Sequence, residues 1–474
     1  MTTNECEIGK NIWYTALSIV LPSIFTFLFW LIAARFGGPE AIGVGSTLAS
    51  VSLIISNFVL FDVQYGMKRT LAIALSEKDT GKFKQIFLMV NAVVLFFSVM
   101  IILLISLMGE QFEEYTGLDN EYIMVICLLF PSMAFQYLYI EVLITLFESR
   151  KLLFPVVIGS IGRFPIFFFL LYTIDLPIIG TTIAYISLFI ISVLWYAFSL
   201  YKIIRHYPFN LKNLYSNLSE VFLSGFSSWI PHIINILGSQ LSLIGVYSIH
   251  GAEEAGKFYL PLAIFTLALF VVSGINKVSH PLIASMKNSE QQKNFLLKSM
   301  KMAFIITMPF GSILFFYSTN ILSLLGQSYE TSGITLSVFM LGLPLAIFTE
   351  MIYYFVYALG KRRMLILLGV SGNFPRIVLY FLLIPIFDSV GAALGYLIGS
   401  FIQFILSLVV VKVLSIQLPS LRYLAIVGLP FLSGAVIKLF DVHFMISIPL
   451  VLLMSWFFYI KFNLISEGEL EKII

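Results

Sequence analysis

Charge is what this chain of 474 residues has least of, at 11% Asp, Glu, Lys and Arg against about 25% in soluble domains. Set beside 59% hydrophobic residues, this shortage excludes a water-soluble fold, which could not cover so much apolar surface; the solvent is lipid. Cysteine is nearly missing too. Cys6 and Cys127 form no spacing pattern, which excludes a disulfide framework and a cysteine zinc site. No GxxxxGK[ST] loop, HExxH helix or paired CxxC occurs, and the breaks between apolar stretches are too short to hold a nucleotide-binding domain. The expectation is therefore a protein that is not an enzyme, with no cofactor, no metal and no nucleic acid partner.

What is present is fourteen apolar stretches of membrane-spanning length. A hydrocarbon core of about 30 Å takes about 20 helical residues, and only a helix satisfies its backbone within the segment. The first stretch, Ile12 to Ala34, is longer than a signal-peptide core and lacks a small-residue cleavage motif, so it is expected to be a retained span. The second six spans repeat the first six at an offset of 210 to 213 residues. Gly38-Pro39-Glu40-Ala41-Ile42-Gly43 recurs as Gly251-Ala252-Glu253-Glu254-Ala255-Gly256, and Gly162-Arg163-Phe164-Pro165 as Gly372-Asn373-Phe374-Pro375. An even number of spans per copy gives both halves the same orientation. The chain reads as an all-α membrane protein of about 14 transmembrane helices, with two parallel six-helix repeats forming two lobes plus two C-terminal helices. The expected divisions are residues 1–203 for the first lobe, 204–219 for a cytoplasmic linker, 220–414 for the second lobe, and 415–474 for two extra helices and a cytoplasmic tail. Interior prolines such as Pro22, Pro131, Pro165, Pro344 and Pro375 are expected to favour kinks.

Loop charge sets the orientation. With both termini in the cytoplasm, all of the 28 Lys and Arg except Arg35, Arg163, Lys257, Lys277, Arg376 and Lys438 fall on that side, while Glu110, Glu113, Glu114, Asp119 and Glu121 face outward. The expected location is the cell membrane.

Subtracting the loops leaves six charges inside spans. Arg163 lies about 11 residues into the fifth span, roughly 17 Å along its axis, where a cation costs about 2.5–3.5 kcal/mol on insertion scales and needs a cavity or a partner. Arg376 occupies the corresponding helix of the second copy. The two either face an anion in a polar cavity or clamp helices. Lys277 and Asp62 hold near-equivalent places, so each could pair with the other or meet a ligand. Glu141 and Glu350 also nearly coincide in the repeat. Both are candidates, with Asp62, for a proton or sodium site, Glu141 alternatively pairing with Arg150-Lys151. His232, Asn276 and Gln403 read as interhelical glue.

The run Gly9-Lys10-Asn11, then Ala33-Ala34-Arg35-Phe36-Gly37-Gly38-Pro39-Glu40-Ala41-Ile42-Gly43, with the basic turns Ser149-Arg150-Lys151 and Gly360-Lys361-Arg362-Arg363, resembles the polysaccharide-unit flippases of the multidrug, oligosaccharidyl-lipid and polysaccharide exporter superfamily. The resemblance implies a cavity between two lobes, open alternately to either face. There, Arg163, Arg376 and Lys277 would hold the phosphate or pyrophosphate of a polyprenyl-linked oligosaccharide. Implied partners are that lipid-linked substrate, membrane lipids, H+ or Na+ as coupling ion, and a polysaccharide polymerase or glycosyltransferases. Two other readings stay open: a multidrug or cation antiporter of the same superfamily, using Asp62, Glu141 and Glu350, and a non-transporting membrane partner in glycan assembly.

Overall fold

A computed structural model describes residues 5–209, 214–462 and 464; Lys212 of the expected linker and Lys472 of the tail lie outside them. Among the described residues every regular element is a helix. Eleven of the helices are long and apolar enough to cross a membrane. Three of those eleven, α1 (Glu5–Leu60), α8 (Leu214–Ser285) and α12 (Arg362–Val413), are 56, 72 and 52 residues long. At 1.5 Å per residue even the shortest runs to about 78 Å, more than twice the apolar core of a bilayer. Each of the three therefore supplies two crossings, and eleven helices make fourteen spans.

The break inside α1 immediately precedes Pro39, and the one inside α12 follows Pro385 by two residues. In α1 the backbone leaves helical geometry at Gly38 (φ 80°, ψ 173°) and in α8 at Gly251 (φ 86°, ψ −179°). This is a region of backbone space that is essentially reserved for glycine, and the two glycines are the same position of the repeated motif. In α12 the turn is made by Phe387 and Asp388. Proline costs a helix one hydrogen bond but keeps φ near its helical value, and Pro131, Pro165 and Pro344 lie inside continuous helices.

The chain divides into two compact units, Met1–Gly256 and Lys257–Ile474. The first contains α1, α2 (Val63–Ser76), α3 (Thr80–Leu107), the short exposed α4 (Gly109–Thr116), α5 (Ile123–Thr145), α6 (Arg150–Ile174), α7 (Pro177–Ile204) and the opening stretch of α8. Its core lies where α1, α5, α6 and α7 pack, for example Leu129 and Met133 of α5 against Ile186 and Phe189 of α7. The chain leaving α7 is clasped by α3, where Lys84 Nζ donates to the Tyr207 carbonyl (2.8 Å).

Within the same unit the repeated motif meets its own copy. A Cβ on Gly43 would run into the carbonyl of Ala252, and one on Gly256 into the carbonyl of Pro39. Both pairs are related by the same 213-residue offset. The approach is backbone to backbone, which only glycine permits.

The second unit holds the remainder of α8, then α9 (Ser289–Phe316), the short α10 (Ser318–Ser323), α11 (Gly333–Ala358), α12, α13 (Ser420–Leu439) and α14 (Phe444–Lys461). Its centre is α9, packed against α11, α13 and α14. Ile313, Ile437 and Val451 join the last two helices to it.

Candidate functional site

In the second unit α12 carries Arg376, of which 7% remains exposed. Its guanidinium donates to Asn373 Oδ1 (2.9 Å), Ser400 Oγ (2.9 Å) and, more loosely, Gln403 Oε1 (3.5 Å), and it lies 4.0 Å from the centre of the Tyr396 ring. The acceptors are themselves anchored. Asn373 Nδ2 donates to the Gly369 carbonyl, Gln403 Nε2 to that of Leu368, and Ser400 Oγ to that of Tyr396. Arg376 makes no ion pair among the described residues, and its Nε has no hydrogen-bond acceptor. Neutral dipoles and a π face solvate a cation without an opposing charge, so this cage does not cancel the positive field.

In the first unit Arg163 on α6 is fully enclosed. Nη2 donates to Thr26 Oγ1 (2.9 Å), Nε to the Ser160 carbonyl (3.3 Å), and the guanidinium sits 5.0 Å from the Phe29 ring. Phe29 belongs to an aromatic wall with Trp30, Phe164 and Phe167, and Tyr185 lies within electrostatic reach. Tyr185 and Tyr396 are equivalent positions of the repeat, but only Arg376 stacks on its tyrosine, Arg163 meeting the Phe29 ring instead. Lys277 is different. It is exposed, 5.9 Å from the Phe270 ring, and makes no ion pair among the described residues.

The three carboxylates fall in three settings. Asp62 sits in a left-handed turn between α1 and α2 (φ 54°) with no exposed surface. Its Oδ1 accepts from Gln64 Nε2 (3.1 Å) and lies 2.7 Å from His232 Nδ1 on α8, while Oδ2 has no hydrogen-bond partner among the described residues. Trp229, one turn earlier on α8, donates to the Asn57 carbonyl (3.1 Å), and Gln240 accepts from Ser50 (2.8 Å), so the pair is one rung of a polar seam. Glu141 on α5 pairs with Lys68 of α2 at 2.7 Å; Lys151 instead meets Glu148 at 3.3 Å. Glu350 on α11 accepts from Ser273 Oγ (2.8 Å), and Asn276 lies beside it without closing a good hydrogen bond. No cation pairs with Glu350 among the described residues.

Sequence reasoning placed His232 among the helix glue and missed its pairing with Asp62. It also missed Thr26 and the two tyrosines. The repeat register of Tyr185 and Tyr396 was a usable signal; a serine, threonine or histidine in an apolar helix was not.

No protein-family model matches the chain. A capsular polysaccharide biosynthesis protein, CapF of Staphylococcus aureus, is 22% identical over 410 residues, 84% of this chain and 97% of the relative. A Shigella flexneri protein described as an O-antigen transporter is 21% identical over 184 residues, 38% of this chain and 44% of the relative. Among solved structures, the lipid II flippase MurJ in an inward closed conformation superposes with a TM-score of 0.77 at 17% identity, covering 95% of this chain and 98% of that one. An inward-facing multidrug resistance MATE family transporter of the MOP superfamily gives 0.71 at 13% identity, covering 85% and 99%. The chain therefore has the fold shared by the lipid II flippase MurJ and the MATE transporter structures.

Proposed function

We propose that this protein is a non-enzymatic transporter that flips an oligosaccharide linked to polyprenyl phosphate or pyrophosphate. It carries the substrate from the cytoplasmic to the external leaflet of the cell membrane by alternating access, with both termini cytoplasmic. The observation that carries this reading is Arg376. A cation held inside a span by neutral acceptors alone, with one N–H unused, is suited to attract phosphate oxygens where water is scarce. The names of the relatives, a lipid II flippase, a capsule biosynthesis protein and an O-antigen transporter, point to the same substrate class.

Arg163 and Lys277 are proposed as further anion contacts, Arg163 in a state of the cycle in which Thr26 releases it. For coupling by H+ or Na+, Glu350 is the first candidate because its carboxylate lacks a cation, followed by Asp62 and Glu141. Glycosyltransferases that build the substrate and a polymerase that consumes it are the proposed functional neighbours.

Glycan export in cells lacking the native gene tests the reading. At normal protein levels Arg376→Ala should block export, and Arg376→Lys, which keeps the charge but loses the planar fork, should restore part of it. Normal export by the Arg163→Ala, Arg376→Ala double variant would sink the anion-site proposal. A cation or multidrug antiporter is the second reading, favoured by Glu350 alone. It requires proton- or sodium-driven efflux of a dye such as ethidium, lost in Glu350→Gln, with glycan export untouched.

A further inference from the structure

In the second unit α8 and α11 each carry a row of polar side chains at helical spacing, Ser273, Asn276 and His280 on α8 and Glu350, Tyr354 and Tyr357 on α11. The rows meet at both ends. Ser273 Oγ donates to Glu350 (2.8 Å), and the His280 ring stacks on that of Tyr357 with centres 4.6 Å apart. They therefore lead from the half-buried Glu350 carboxylate to a tyrosine that is 51% exposed in the last turn of α11, about 10 Å along the axis. Between the ends lies a cavity of about 10 Å³, lined by Asn276, Ser279, His280, Ser299 of α9 and Tyr354. The Ser279 and Ser299 hydroxyls are 3.1 Å apart. Asn276 both flanks Glu350 and lines the cavity. It is 2% exposed, and its Nδ2 has no acceptor among the described residues.

The unused group is a donor, and that selects the occupant. Hard cations take oxygen ligands, so an N–H aimed into the cavity opposes sodium. A water molecule accepts from Asn276 and donates onward. The volume is at the lower limit for one water, and the lining supplies the two to four polar partners such a water needs.

We infer that a water in this cavity carries protons between His280 and Glu350, so that the coupling ion is a proton. His280 takes a proton from solvent on its ring; the imidazolium passes it to the water as that water gives another to a Glu350 oxygen. His280 is left neutral and Glu350 becomes a carboxylic acid that still accepts from Ser273. Ionisable groups lined up inside spans are suited to such relays. Facing these two groups are Tyr353, Tyr354 and Tyr357 of α11 and Tyr396 of α12. Lys277, on their own side of α8, is exposed and lies against Phe270, and the α9 cations Lys298 and Lys301 line a separate cavity against α13. The inference rests on the reading of Glu350 as the coupling carboxylate.

The test uses the full-length protein in nanodiscs, followed by infrared spectroscopy. Lowering the pH should raise a protonated-carboxyl C=O band that is missing from Glu350→Gln, and adding Na+ at fixed pH should leave the band unchanged. After photolysis of a caged proton, His280→Ala should slow the growth of the band about a hundredfold, the low end for a positioned proton-transfer group. Imidazole in the buffer should restore the rate. His280→Gln, which keeps a polar side chain against Tyr357, should be equally slow, and Asn276→Leu, which removes the donor, should be slow as well; melting of each variant checks its folding. A band that grows as fast in the histidine variants as in wild type overturns the relay. So does slowing that imidazole leaves unchanged, which would make His280 a packing residue. Loss of the band on adding Na+, or no Glu350 band at any pH at which the protein stays folded, overturns the proton assignment. A working relay in a protein whose glycan export ignores the proton gradient sinks the coupling role of Glu350 and leaves the relay standing.

Discussion

Asp62 and His232 share one 2.7 Å contact, yet removing them should have unequal effects. Asp62 is fully buried, whereas the His232 side chain is 36% exposed. In His232→Ala the carboxylate stays in place with only the Gln64 amide to solvate it. Breaking a buried pair from one side costs about 3–5 kcal/mol, and the low end applies because water can enter where the ring was. In Asp62→Ala the imidazole turns to water, and the buried loss is the Gln64 donor, about 1–3 kcal/mol. The cleanest consequence appears when the charge is removed from the damaged protein. His232→Ala combined with Asp62→Asn should be more stable than His232→Ala alone by about 1 kcal/mol or more, since the amide needs less solvation than the carboxylate. With Asp62→Asn alone as the second single variant, wild type, His232→Ala, Asp62→Asn and the double variant form a double-mutant cycle, read by reversible SDS unfolding in mixed micelles. Additivity within about 0.5 kcal/mol, or a His232→Ala protein as stable as wild type, would show that the short contact carries no energy and that the polar seam is held elsewhere.

Gly38→Ala and Gly251→Ala meet no atom within 4 Å, so each should lower stability only by its backbone strain, about 1–3 kcal/mol. Gly43→Leu and Gly256→Leu instead drive a side chain into a facing carbonyl and should abolish accumulation of folded protein; normal yields would refute the close approach. Glu350→Gln, which keeps the acceptor for Ser273, should preserve melting while uncoupling glycan export from the proton or sodium gradient, and unchanged gradient dependence would make the residue structural. Single cysteines should be labelled from outside intact cells at Glu113 and not at Arg362, and the reverse pattern would invert the orientation.

The architecture was legible because its determinants are local or periodic. Span length, the shortage of charge and the 213-residue echo of Gly38 in Gly251 are all one-dimensional quantities, and the eleven long helices resolve into the expected number of crossings. The candidate site was legible in its charges and opaque in its partners. Arg163 and Arg376 stand out as costly cations in apolar stretches, but the residues that solvate them, Thr26, Ser400 and Gln403, are ordinary polar residues of helical spans. The partner of Asp62 lies 170 positions away, at an offset unrelated to the repeat, so symmetry pointed to Lys277 instead.

The reciprocal contact of Gly43 with Ala252 and of Gly256 with Pro39 has the form of an isologous interface, in which residue i of one copy touches j of the other and j touches i. That is how two separate identical chains would meet about a two-fold axis. In such a dimer every substitution is made twice, so a buried arginine acquired by one subunit appears at once in its mate, and both must be solvated. Joining the copies in one polypeptide lifts that constraint. The position of Arg163 is occupied in the second copy by Asn373, which carries no charge and accepts a hydrogen bond from Arg376 three residues further on. A single polypeptide thus allows the two cation sites to differ while the glycine contact keeps its reciprocal form.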